Sequence, residues 1–271
     1  MKHHVHSQRD LEEKRDWYSP AAAEYDRFRP KYPEKIVQRA CEIAGLPPIA
    51  DLLEIGAGPG TATVSFAGRG HRIVSLEPSR ALYELAQKNC AGFAKVEMVN
   101  TTFEEYEVQE GSFDAVLAPT SIHWVSPELA YRKSSRALRP NGSLMLLWNM
   151  PLRPSFKAHQ DFEGLYKKIC PEMSGYHDND DLRGQIGELG ENLENSDLFC
   201  NMRYEDQEYS LVYSGSEYVR YLNTMSNYLK LEEPVKKKLF SALKEKIAQV
   251  YGDKIEVFGL CALQVAEKRD A

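Results

Sequence analysis

Five residues in one short stretch have the types and spacing to hold a polar ligand: Glu54, Gly56, Gly58, Gly60 and Glu77. They stand in DLLEIGAGPGTATVSFAGRGHRIVSLE, residues 51–77. Glycines allow positive φ and let a ligand touch the main chain. A helix that starts just after them offers unpaired N–H groups and the positive end of its dipole. A carboxylate closing the next strand, here Glu77, is placed to accept two hydrogen bonds from a ribose diol. The stretch therefore predicts a nucleoside-containing cofactor held between the glycine turn and Glu77. A glycine turn without a ligand is the competing reading. It fits less well, because strand, glycines, helix, strand and terminal acid agree in order and spacing.

The elements that must position these residues follow from the pattern. Asp51–Ile55 and Arg72–Leu76 are apolar runs of strand length, and Thr61–Ala67 between them reads as a helix. A parallel pair joined by a crossover helix is the economical arrangement. Upstream, residues 21–28 and 34–44 read as helices separated by Pro30 and Pro33. Downstream, Ser79 caps a helix over 81–90, and residues 95–99, 111–118 and 143–148 read as strands. Residues 127–138 form a further helix, closed by the RPNG turn. Strands alternating with helices over 51–149 imply a parallel sheet covered on both faces. Beyond Pro151 the pattern changes. Residues 155–170 read as a helix and 171–190 as a polar, glycine-rich stretch; 204–213 read as a strand. Helices over 216–223 and 233–250 precede a long apolar strand at 254–266. This gives one sheet whose last two strands come after a helical insertion.

Composition narrows the function. The chain has 271 residues, 42% hydrophobic, with a net charge of -6. An acidic balance disfavours unspecific nucleic-acid binding. No apolar run approaches the roughly 20 residues a membrane helix needs, and the N-terminus lacks the apolar core of a signal peptide. A cytoplasmic location is expected. Five scattered cysteines without a C-x-x-C pair suit reduced thiols, and no metal site is expected. His3, His4 and His6 read as part of a polar tail.

The dinucleotide fingerprint needs glycines at its first, third and sixth positions, but the sixth position here is Thr61. The glycines fall instead at the first, third and fifth, behind Glu54. This E-x-G-x-G-x-G run resembles motif I of the class I S-adenosylmethionine-dependent methyltransferases. Further stretches match: RPxYP at residues 29–33, GSFDAVLAPTSIHWV at 111–125 and ALRPNGSLMLLWN at 137–149. Together they are similar to the type 11-like methyltransferases that include trans-aconitate-methyltransferase-like proteins, over roughly residues 25–268.

The resemblance implies an α/β fold: a Rossmann-like, doubly wound sheet of seven strands, mostly parallel, the last antiparallel. It implies a single domain over 20–271 behind a flexible tail of residues 1–19. Within it, 20–48 would form an N-terminal lid and helix and 49–150 the cofactor core. Residues 151–202 and 214–250 would supply helical elements on the substrate side. S-adenosylmethionine is the implied cofactor and S-adenosylhomocysteine the product. Glu54, Gly56, Ala57, Gly58, Gly60, Glu77 and Pro78 carry the cofactor motifs. Thr102 and Phe103 stand where adenine contacts are expected, and Ala118, Pro119 and Thr120 near the methionine part. Many relatives have an aspartate where this chain has Thr101-Thr102, so the partner of the adenine amine is open.

The substrate side is read from the same resemblance. His123 and Trp124 follow the fourth strand and should face the transferred methyl. His123 is either a general base or a residue that only orients and packs; the second reading is favoured, since geometry decides base catalysis. Tyr25, Arg29 and Tyr32 come from the N-terminal segment, and Arg29 is suited to a substrate carboxylate or else to a surface ion pair. Trp148 and Asn149 end the fifth strand and should border the pocket. The acceptor is expected to be a small molecule bearing a carboxylate or hydroxyl, and the protein a monomer or homodimer. The competing class is a cofactor-binding protein without catalysis. Methylation of nucleic acid is disfavoured by the acidity and by APTS standing where an N-P-P-Y-like tetrad would.

Overall fold

The computed structural model describes residues 10–269, so His3, His4 and His6 lie outside the described residues. The chain opens with α1 (Leu11–Asp16), whose Asp10 side chain caps the helix by accepting the Glu13 amide at 2.7 Å. Residues 11–19 read as an exposed helix or the end of a tail, and a loose tail is not what the structure has. They instead form this helix and the start of a 3-10 turn at Ser19–Ala21, and Lys14 and Arg15 pair with Glu104 and Glu105. The helices α2 (Ala22–Phe28) and α3 (Glu34–Ile43) flank Pro30 and Pro33. Proline has no amide hydrogen for a continuous helix, so the chain must break there.

The core then alternates as the spacing requires: β1 (Asp51–Ile55), α4 (Thr61–Ala67), β2 (Arg72–Leu76), α5 (Arg80–Cys90), β3 (Val96–Val99), β4 (Phe113–Pro119), α6 (Pro127–Ala137) and β5 (Leu138–Asn149). The fifth strand starts earlier than expected, because the RPNG turn is a bulge inside it rather than a boundary. Asn141 takes φ 60°, and a Cβ on Gly142 would lie 3.0 Å from the carbonyl oxygens of Arg139 and Asp114. Only glycine fits where β4 and β5 approach so closely.

The second half holds β6 (Arg153–Pro154), α7 (Phe156–Ile169), α8 (Asn179–Glu194), β7 (Phe199–Ser214), α9 (Gly215–Leu222), α10 (Ser226–Leu229), α11 (Glu233–Tyr251) and β8 (Lys254–Lys268). The helix α8 lies in the stretch read as polar and glycine-rich. An Asp178–Asp181 capping box starts it, and Leu182, Ile186, Leu189 and Leu193 bury one face. Its glycines hid that stripe. One of them sits close to the sheet: a Cβ on Gly190 would meet Gln264 Nε2 at 2.5 Å.

The sheet runs β3-β2-β1-β4-β5-β8, with β7 on the far side of β8. The two-residue β6 pairs with β8 on the same side as β5, so it extends the fifth strand's position rather than adding an eighth column. The last strand is antiparallel to β5, as the resemblance implies. Leu144, Leu146 and Trp148 face one helical layer, and Met145 and Leu147 face the other. Burial on both faces explains why these strands read as continuous apolar runs. A third core, with Phe162, Tyr218, Leu239 and Leu243, is built by the insertion helices. Among the described residues no helix is long and apolar enough to cross a membrane.

Candidate functional site

The strand order reverses between β1 and β4, and there the carboxyl ends of the strands open a crevice. The turn after β1 is left-handed at all three glycines, with φ of 68° at Gly56, 58° at Gly58 and 86° at Gly60. A Cβ on Gly56 would stand 2.7 Å from Ser121 Cβ. Space beside Gly58 is open, so a ligand can approach the main chain there. Gly60 does not line a cavity. It caps α4, and its Cβ position is 3.1 Å from Cys90 Sγ, so it sets the approach of α4 to α5.

Glu77 is buried at the end of β2. Its Oε2 accepts the Gly58 amide at 2.7 Å and its Oε1 the Ser79 amide at 2.8 Å. Burial pushes its carboxyl up to about 7, against the two amides that favour the ionised form. Glu54 is buried too and does not line a cavity. Thr63 and Ser75 each donate to its Oε2 at 2.6 Å, while Oε1 has no partner among the described residues. Burial raises its pKa as well.

Two adjoining cavities share Tyr25, Gly56, Gly58, Pro119 and Thr120. The larger, of about 740 Å³, is bordered by Glu77, Pro78, Thr102 and Phe103. Trp124 also lines it. The smaller, of about 510 Å³, runs along Gly56, Ala57, Gly58 and Thr61 and is faced by Arg29, Tyr32 and Asn149. Arg29 donates through Nε to Thr224 Oγ1 at 2.8 Å and through one terminal nitrogen to the Thr224 carbonyl at 2.7 Å. The rings of Tyr25 and Tyr221 flank its guanidinium at 4.8 and 5.7 Å. No carboxylate among the described residues pairs with it, so it is not the surface ion pair that spacing alone allowed.

A hydrogen-bonded chain fixes this end. Tyr32 bonds Thr120 Oγ1 at 2.8 Å, and Asn149 donates its amide to the same oxygen at 3.1 Å. Asn149 Nδ2 holds the Pro30 carbonyl at 2.9 Å, and Tyr209 donates to Asn149 Oδ1 at 2.6 Å. Thr120 sits at φ 54°, an uncommon conformation that this network holds in place.

Besides Glu54 and Gly60, three predicted residues stand off the lining. His123 lines neither cavity; its ring lies 6.0 Å from those of Trp124 and Trp148. Trp148 is a core residue whose indole donates to Gln264 at 2.9 Å. Alternation along the strand explains this: Asn149 faces the cavity, so Trp148 must face the opposite layer. Ala118 is likewise buried in the core, one residue short of the lining Pro119.

Other lining residues escaped the sequence reading. Lys14 and Tyr18 reach the larger cavity from the segment read as a tail. Tyr18 packs edge-on against Tyr25 and Trp124 and bonds Ser226 at 2.8 Å. The neighbouring aromatics Trp17 and Tyr18 within a charged stretch were the available signal. Glu104 and Tyr221 carried none. Of the insertion helices, α9 reaches the smaller cavity, through Tyr221.

Comparison with known proteins agrees with this fold. Residues 53–146 match the family described as "Methyltransferase domain". These residues thus carry a methyltransferase domain. The chain is 32% identical over 132 residues to an uncharacterised methyltransferase of Mycobacterium tuberculosis, covering 49% of this chain and 51% of that protein. It thus spans about half the length of the curated relatives it matches first. A solved structure from Anaeromyxobacter dehalogenans, provisionally a type II methyltransferase, superposes with a TM-score of 0.67 at 18% identity, over 89% of this chain and 98% of that one. Phosphoethanolamine N-methyltransferase 2 of Haemonchus contortus, solved with phosphomonomethylethanolamine and S-adenosylhomocysteine, superposes at 0.55 and 16% identity, over 97% and 60%. These likenesses show the fold.

Proposed function

We propose that this protein transfers a methyl group from S-adenosylmethionine to a small-molecule acceptor. The observation that carries this reading is the Glu77–Gly58 hydrogen bond at the edge of the larger cavity. It sets a ribose-accepting carboxylate beside an exposed main chain, which is what a nucleoside with a charged tail requires. The lining fits that group: there is room beside Gly58, a buried acid at Glu77, and aromatic walls at Phe103, Tyr18 and Trp124.

When bound, S-adenosylmethionine supplies an electrophilic methyl on a sulfonium. Glu77 would hold the ribose and the glycine turn the amino-acid end. The aromatic walls exclude water and favour a cation by their π faces. Tyr25, Pro119 and Thr120 border both cavities, so they face the junction where methyl and acceptor meet. Arg29, unpaired with any acid among the described residues, would orient a carboxylate in the smaller cavity by charge-assisted hydrogen bonds. An ionised carboxylate needs alignment and a dry site rather than a base. That suits a site whose histidine, His123, stands off the lining.

An acceptor with a carboxylate or hydroxyl is therefore our reading, in keeping with the resemblance to trans-aconitate-methyltransferase-like proteins. A second reading has specific support. The glycine turn, Gly56–Pro59, lines the same cavity as Arg29, so the carboxylate that Arg29 holds is alternatively the cofactor's own. Calorimetric titration with S-adenosylmethionine and NAD, followed by turnover assays on small acids, phenols and amines, tests the proposal. Binding of S-adenosylmethionine and methylation of an acid or hydroxyl compound is expected. Tight NAD binding without S-adenosylmethionine binding would overturn it.

A further inference from the structure

The base end of the larger cavity is built from two segments far apart in sequence. Lys14 of α1 and Glu104, beyond β3, both line it, and their Nζ and Oε1 lie 2.6 Å apart. The side chains are only 7% and 18% exposed. This pair differs from the neighbouring Arg15–Glu105 pair, whose partners are about 40% exposed and do not line the cavity. Among the described residues Glu104 Oε2 accepts no hydrogen bond, and Lys14 Nζ donates only one of its three. The pair therefore presents an open acceptor beside an open donor to the cavity.

The backbone beneath the pair is held. Lys133 of α6 donates to the carbonyls of Phe103 and Glu104 at 2.7 and 3.0 Å. The Thr102 hydroxyl, at the place where an acid was missing, is committed to Glu105: it donates to Oε2 at 2.8 Å and accepts that residue's amide at 3.2 Å. Its proton and one lone pair are thus taken by Glu105, whereas Glu104 Oε2 is uncommitted among the described residues.

We propose that Lys14 and Glu104 together read the amino edge of the cofactor's purine. Glu104 accepts from the exocyclic amine, and Lys14 donates to the ring nitrogen beside it. A 6-aminopurine carries a donor and an acceptor side by side on that edge, whereas a 6-oxopurine carries an oxygen where the amine was. The residues thus act on cofactor specificity, and α1 is part of the binding site. The proposal rests on the cofactor assignment made above.

Titration calorimetry of the full chain with S-adenosylhomocysteine and with S-inosylhomocysteine, its 6-oxo analogue, tests it. The native chain should prefer the amino compound by about tenfold or more, since the wrong base leaves buried polar groups unpaired. Glu104→Gln, whose amide can donate to the oxygen, should reduce that preference to below about threefold. Lys14→Met should weaken the amino compound by about tenfold. Arg15→Met, which removes the adjacent pair but no lining group, should leave the preference as it was. Should Glu104→Gln fail to fold, Lys14→Met against Arg15→Met decides alone. The proposal is overturned if the native chain does not discriminate, or if Lys14→Met and Arg15→Met weaken both ligands alike, which would make the pair a clamp for α1. Absence of any S-adenosylhomocysteine binding would instead defeat the cofactor assignment, and the proposal with it.

Discussion

Glu77 and Gly58 are joined by a 2.7 Å hydrogen bond between the carboxylate Oε2 and the glycine amide. The acid that ends β2 and the turn that follows β1 are therefore one unit before any ligand arrives. Ser79, the cap of α5, holds the other carboxylate oxygen. An acid preset in this way loses little side-chain freedom when a ribose binds.

Replacing that acid should weaken the cofactor sharply. Glu77→Ala is expected to lower S-adenosylhomocysteine affinity by about 1.5–3 kcal/mol, the usual magnitude for hydrogen bonds to a charged group. Calorimetry on a variant shown by circular dichroism to be folded is the check. An affinity within twofold of the native value would remove Glu77 from the ribose site.

The same carboxyl makes binding depend on pH. Burial raises its pKa to about 7, and a ribose diol donates to the ionised form. Binding should lower that pKa and release a proton, so affinity should rise between pH 6 and 8 and level off above. In the Glu77→Gln variant the rise should vanish. A native profile flat across this range contradicts the assignment. The sign for stability is opposite: a folded pKa raised from 4.5 favours the fold at low pH and loses that contribution as pH rises through about 7.

Arg29 separates the two readings of the smaller cavity. If it holds the acceptor, Arg29→Ala should raise the KM for an acidic acceptor by about tenfold or more, leave a neutral acceptor nearly unaffected, and spare cofactor affinity. If it holds the cofactor's carboxylate, affinity for S-adenosylhomocysteine should fall by a similar factor whatever the acceptor. A folded variant with neither change would leave Arg29 as packing for Tyr25, Tyr221 and Thr224 alone.

Deleting residues 1–19 should impair the protein rather than leave it intact. The deletion removes Lys14 and Tyr18 from the cavity wall, together with the contact of Tyr18 to Trp124. A loss of cofactor affinity of about tenfold is expected from the hydrogen bonds and aromatic contacts removed. Unchanged affinity in the truncated protein would show that α1 only covers the site.

His71 should make the fold sensitive to acid. Its buried Nδ1 accepts the Ala50 amide at 3.1 Å, which only the neutral ring can do. Burial, then the nearby Arg69, lowers its pKa. Its stabilising contribution is therefore complete above the unfolded value of about 6.5 and is lost as pH falls through the folded value. Urea unfolding at pH 5 to 8 should show a decline below pH 6.5 that is shallower in His71→Gln. Parallel curves for the two proteins would rule the histidine out as the cause.

The central half of this molecule was legible in its sequence because its signals are local. Glycine spacing, an acid at a strand end and apolar runs of fixed length depend on neighbours a few residues away, and β1, α4, β2 and Glu77 appear where those signals put them. The side on which a strand residue faces also follows from alternation, yet Trp148 and Asn149 could be told apart only once the packing of β5 against β8 was known. The glycines of α8 masked its apolar stripe, and only the depth of β8 beneath it shows why Gly190 is there. Tertiary structure alone decided the partners across long separations. Lys14 meets Glu104 across 90 residues, and Arg29 meets Thr224 across 195. Such pairs leave no period in the sequence, because what joins them is the closing of the chain upon itself around a buried sheet.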